Sequence, residues 1–97
     1  MDNFKKALWW LIAGSRGGDN RLRIIMFLRD SPSNANQLSE VLDLDYKTVE
    51  HHLEKLQDSE VIETMREGYG KNYFLTDKTQ KYMDEIERIA EQSGVEK

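Results

Sequence analysis

The feature that most constrains this chain is a pair of short amphipathic helical patterns joined by only three residues. Asn34 followed by Gln37 has the spacing of a capping box, and Leu38, Val41 and Leu42 form a short apolar face behind it. Asp45 is placed to cap a further helix, to about residue 58, whose inward stripe is Val49, Leu53 and Leu56. Between the two patterns Asp43-Leu44-Asp45 makes a tight turn. Two helices with so short a connection have the arithmetic of a helix-turn-helix unit.

The flanking sequence completes an order of α-α-α-α-β-β-α with no internal repeat. Residues 3–13 place Phe4, Leu8, Leu11 and Ile12 on one helical stripe, and Gly14, Gly17 and Gly18 break the pattern after it. Asp19 can cap a second helix, on which Leu22, Ile25, Met26 and Leu28 recur at helical spacing until Ser31-Pro32 stops it. From Val61 two β-favouring runs flank a glycine-bearing turn, which predicts a hairpin. Thr76 or Asp77 can cap a last helix, about 77–93, carrying Tyr82, Ile86 and Ile89 and widened by Met83 and Ala90. The expected fold is mainly α with a β-hairpin wing, a winged helix-turn-helix. In that arrangement the helix after the tight turn lies in the major groove of DNA and the hairpin reaches along the backbone.

Composition narrows the alternatives. The 97 residues suit one domain, and 38% hydrophobic with 33% charged residues is the balance of a folding, soluble chain. The longest apolar run, Ala7 to Ala13, falls well short of the roughly 20 residues a membrane span needs. With no secretion-signal pattern either, a cytoplasmic protein is expected. The absence of cysteine removes disulfides, thiolate metal sites and cysteine nucleophiles together.

A net charge of −4 is awkward for a nucleic-acid binder, so its distribution matters. Residues 1–30 carry six basic and three acidic groups, whereas residues 31–60 carry two and seven. The basic excess is N-terminal.

At 100° per residue, Lys47 and His51 point directly away from the Val49-Leu53-Leu56 stripe. Thr48 and Lys55 fall on one flank, Glu50 and Gln57 on the other, and Tyr46 sits at the core's margin. Lys47 and His51 are therefore expected to contact base edges or phosphates, Thr48 and Tyr46 to hydrogen-bond near the backbone, and Lys55 to meet phosphate. Asn36 and Gln37, at the start of the preceding helix, are expected to add backbone contacts. Glu50 can accept from a cytosine amino group, but Glu50 and Glu54 together repel phosphates, and a merely solvated face is the plain alternative. The wing adds Arg66, Tyr69 and Lys71 beside Gly68 and Gly70.

Other chemistry finds little support. His51 and His52 are adjacent, so their rings diverge by 100° and do not converge on one ion. His52 borders the core stripe, which suits a structural role. No triad or phosphate-loop spacing appears, so no enzyme is expected, and Ser15-Arg16-Gly17-Gly18 reads as a turn that leaves Arg16 open to contact with DNA or another subunit.

The first helix is apolar all round, because Trp9 and Trp10 lie about 100° and 200° from the Leu8 stripe. Such a helix wants partners on two sides. Phe4, Leu8, Trp9, Trp10 and Ile12 are accordingly expected to meet a second copy, with Tyr82, Met83, Ile86 and Ile89 of the last helix. One large internal core, or a peripheral membrane contact by the Trp pair with Lys5 and Lys6, are the alternatives.

The runs NANQLSEVLDLDYKTVEHHLEKL (34–56) and VIETMREGYGKNYFLT (61–76), after a leader LWWLIAGSRGG, resemble the arsenic-repressor-like (ArsR-type) winged-helix regulators, the small archaeal ones especially. The resemblance implies a homodimeric transcription regulator that binds double-stranded DNA. That family often has glycine where Asp43 and Glu60 stand here, positions that can require a left-handed backbone. It also includes metal sensors with cysteine or histidine sites. This chain has no cysteine, and no histidine in its first or last helix. No metal and no cofactor are expected, and nothing in the sequence identifies a small-molecule effector. The reading from a different class is a protein-protein interaction module whose acidic helix meets a basic partner.

Overall fold

The computed structural model describes residues 2–67 and 70–94, with the side chains of Arg66 and Glu67 outside that description. Helix α1 (Asn3–Trp9) starts where the Asp2 carboxylate accepts the Phe4 N–H at 2.8 Å. It runs on as a π-helical turn, Trp10–Gly14, and ends at extended Ser15. Helix α2 (Gly18–Asp30) begins behind Gly17, whose φ of +89° only glycine adopts freely. Asp19, expected as the cap, stands one residue inside the helix and accepts from the Asn20 N–H instead.

Helix α3 (Ala35–Leu42) carries the Asn34–Gln37 capping box in both directions, at 2.8 and 2.9 Å. Helix α4 (Tyr46–Asp58) is capped by Asp45, which accepts from the Lys47 and Thr48 N–H groups. The turn between them closes at Asp43, which is left-handed (φ 55°). Glu60, after α4, is left-handed as well (φ 62°). Both positions are those where the resemblance put glycine.

Strands β1 (Ile62–Glu67) and β2 (Gly70–Leu75) form an antiparallel hairpin running in register from Ile62 opposite Leu75 to Glu67 opposite Gly70. The α2–α3 linker adds a bridge to it, since Ser33 and Tyr73 exchange backbone hydrogen bonds at 3.1 and 2.8 Å. Thr76 caps α5 (Asp77–Lys81) by accepting from the Thr79 N–H. The single terminal helix expected is broken at Tyr82 (φ −105°, ψ 17°), and α6 (Met83–Ser93) comes after the break. Tyr82 is held by tertiary contacts: its ring stacks on Phe4 at 5.4 Å and its hydroxyl bonds the Asp2 carboxylate.

Helices α2, α3 and α4 followed by the hairpin make a winged helix-turn-helix, preceded in the chain by α1 and followed by α5 and α6, and α1 packs against α6. The core draws on every helix but α5, and on both strands. Val49, Leu53 and Leu56 of α4 are fully covered, a burial worth on the order of 1.5–3 kcal/mol for each side chain. Val41, expected on the apolar face of α3, is exposed.

Candidate nucleic-acid interface

With its stripe fixed in the core, α4 turns Tyr46, Lys47, Thr48, Glu50, His51, Glu54, Lys55 and Gln57 to solvent. Shallow grooves run along both flanks of this helix. The groove toward the hairpin, about 430 Å³, is lined by Lys47, Glu50, His51, Glu54 and Gln57 from α4 and by Lys71 and Tyr73 from β2. The groove on the other flank, about 450 Å³, lies against the turn before α2 and is lined by Lys47, Thr48, His51, His52 and Lys55 with Arg16, Gly17 and Arg21. Lys47 and His51 border both grooves, as side chains on the outermost ridge must.

The residues expected to read DNA are therefore brought together unevenly. Lys47, Thr48, Glu50, His51, Lys55 and Lys71 border one or both grooves. Tyr46 is exposed at the start of α4 and lines neither. Asn36 and Gln37 are exposed on α3 and also line neither, and Gln37 spends its side chain on the cap of its own helix. Tyr69 and the Arg66 side chain lie outside the described residues.

Two participants were not expected. Tyr73 sits on the hairpin side, mostly buried, with its hydroxyl pushed above the usual tyrosine range by burial first, then by Tyr46 and Glu50. Arg21 is more consequential: it is 1% exposed, yet each nitrogen of its guanidinium has a partner. Nε donates to the Leu11 carbonyl at 2.6 Å, and Nη2 donates to the Ser15 hydroxyl at 2.6 Å and the Arg16 carbonyl at 2.9 Å. Nη1 reaches His52 Nδ1 at 3.2 Å.

Because a guanidinium only donates, His52 accepts at Nδ1 and carries its proton on Nε2. Burial lowers the His52 pKa, and Arg21, His51 and Lys55 lower it further against a small opposing effect of Asp19. The imidazole is thus held neutral and serves as structure, the role its place beside the core stripe implied.

The nine residues expected at a dimer interface also divide. Leu8, Ile12 and Ile86 are fully covered by their own chain, and Phe4 and Ile89 nearly so, so these have little surface to offer a partner. Of the three readings of the first helix, the internal core accounts for these five residues. Tyr82 and Met83 are half-buried. Trp9 and Trp10 remain 53% and 57% exposed. Trp9 borders a groove of about 550 Å³ between α1 and α6, with Asp2, Lys5, Lys6, Glu85, Arg88, Ile89 and Gln92.

Among known families, residues 18–64 match the one described as bacterial regulatory protein, arsR family. The arsR match spans α2, α3, α4 and the start of β1, so it contains the helix-turn-helix and stops before the wing tip.

Solved structures agree on the fold. An engineered variant of ZitR from Lactococcus lactis is 25% identical, with a TM-score of 0.64 over 74% of this chain. The alignment takes in 51% of the ZitR variant, so this chain spans about half its length. A MarR transcriptional regulator from Methanosarcina mazei is 23% identical, with a TM-score of 0.71 over 93% of this chain and 68% of its own. The homodimeric winged helix-turn-helix DNA-binding domain of a possible ArsR-family regulator from Mycobacterium bovis is 16% identical, with a TM-score of 0.72 over 91% of this chain and 80% of its own. A comparison with curated proteins finds no match. No helix among the described residues is long and apolar enough to cross a membrane.

Proposed function

We propose that this protein is a transcription regulator that binds double-stranded DNA sequence-specifically as a homodimer, with α4 in the major groove and the hairpin along the backbone. The observation that carries the reading is the outer face of α4. Lys47, Thr48, His51 and Lys55 stand exposed on a helix whose other side is locked into the core and whose first turn is fixed by the Asp45 cap. The arsR match over the same segment supports it. A two-fold dimer through α1 and α6, with Trp9 and Trp10 covered by the partner, would present two copies of α4 to successive major grooves roughly 34 Å apart.

Selection of bound sequences from a random pool of duplexes tests this directly. The expected product is a pseudo-palindromic site bound with steep salt dependence and weakened by Lys47→Ala. Failure to enrich any sequence, with affinity indifferent to salt, overturns it. Glu50 and Glu54, both on the hairpin-side groove, favour one rival: a module that docks a basic protein partner on α4. That rival predicts no DNA affinity for Lys47→Ala to weaken.

A further inference from the structure

The two flanks of α4 differ in charge. The hairpin-side groove sets Glu50 and Glu54 against Lys47 and Lys71, whereas no acidic side chain among the described residues lines the opposite groove. That groove gathers Arg16, Lys47 and Lys55. None of the three forms an ion pair with the described residues, although Lys5, Arg29, Lys78 and Arg88 elsewhere do. Asp19 nearby offsets part of the positive field, at Arg21 and His52.

The groove is also built rather than incidental. Its far wall is the Ser15–Gly17 turn, which arrives from outside the helix-turn-helix, and Arg21 fastens that wall by gripping the Ser15 hydroxyl and the Arg16 carbonyl. The same guanidinium reaches His52 on α4, so one buried side chain ties both walls together. The walls touch at Gly17, where a Cβ would stand 2.7 Å from His52 Cε1. Arg16 thus has its backbone immobilised while its side chain stays exposed over the groove. Fixing the backbone that carries a cation reduces the entropy lost when the cation binds.

We infer that the Arg16 turn and the Lys47–Thr48–Lys55 flank of α4 form a phosphate clamp. It holds the DNA strand on the side of α4 away from the hairpin, with Arg16 a phosphate contact supplied from outside the helix-turn-helix. This rests on the DNA-binding reading above and adds to it which backbone is gripped, and by what. The acidic flank then faces base edges or solvent, where carboxylates repel phosphates least.

The test is the slope of log affinity against log salt on short duplexes of mixed sequence, where each phosphate contact contributes about 0.9. Arg16→Gln is expected to lower the slope by about that amount at unchanged melting temperature, because the carbonyl that Arg21 grips is retained. Arg16→Lys should restore the slope. Lys81→Gln, which removes an exposed charge outside both grooves, should leave it unchanged. A wild-type slope in Arg16→Gln overturns the clamp while leaving DNA binding intact. An equal loss in Lys81→Gln reduces Arg16 to general charge and overturns it too. A wild-type protein with no salt-dependent DNA affinity overturns the clamp and the proposed function together.

Discussion

At the scale of single residues, the neutral His52 makes stability depend on pH in a definite direction. Its pKa is lowered in the folded chain by burial and by the adjacent cations, so the unfolded chain binds the extra proton first. Stability is then complete above the unfolded value of about 6.5 and is lost progressively as pH falls below it. The urea midpoint of the wild type should drop between about pH 7.5 and 5.5, with a visibly shallower drop in His52→Asn, which keeps an acceptor toward Arg21 but cannot charge. Glu60 supplies a second case. Its left-handed backbone costs about 1–2 kcal/mol, while glycine there costs roughly 0.5–1 kcal/mol of unfolded-state entropy. Its ion pair with Lys78 is exposed on both sides and contributes little. Glu60→Gly should therefore raise the melting temperature by a few degrees, and Asp43→Gly by less, since aspartate tolerates that conformation better. The strain at both positions was legible in the sequence from the resemblance. Arg21 was not, because arginine is normally a surface residue, and its partners at Leu11, Ser15, Arg16 and His52 meet only in three dimensions.

At the scale of elements, the junction from α1 to α2 has the closest approach of any described glycine. A Cβ at Gly18 would lie 1.8 Å from the Ile12 carbonyl oxygen, a backbone atom that cannot turn aside. Gly18→Ala should therefore force α2 off the π-helical turn and destabilise by more than the about 0.5–3 kcal/mol of an ordinary substitution. Calorimetry should show a melting point lowered by ten degrees or so, or no cooperative transition; an unchanged melt would refute the close approach. The glycines in the sequence announced a turn, but which of them is irreplaceable depends on contacts with Ile12 and His52 that periodicity does not carry. Periodicity served best for α4, a one-sided helix whose stripe alone decides which face is wet. It served less well for α2, where Arg21, Leu22, Ile24, Ile25 and Leu28 are all buried because neighbours surround the helix. The break at Tyr82 was likewise invisible, since stacking on Phe4 and the bond to Asp2 set it.

At the scale of the whole molecule, a chain of net charge −4 must bring two recognition helices to one DNA molecule if it is to bind tightly, because each alone offers few phosphate contacts. Trp9 and Trp10 are the only tryptophans in the chain, and they are exposed side by side. Covering them should move their emission to shorter wavelength. The wild type should show that shift concentration-dependently, in step with the dimer mass seen by light scattering. Trp10→Lys places a charge where the folded chain already meets water, so its own stability should change by less than about 0.5 kcal/mol. A lysine in the centre of an apolar interface should instead abolish the dimer. Affinity for a palindromic site should then fall by about 10²-fold or more, the loss expected when two linked half-sites become independent, while affinity for a single half-site is retained. If Trp10→Lys remains dimeric with full affinity for the palindrome, the α1 face is not the interface, and the two copies of α4 must be spaced by some other surface.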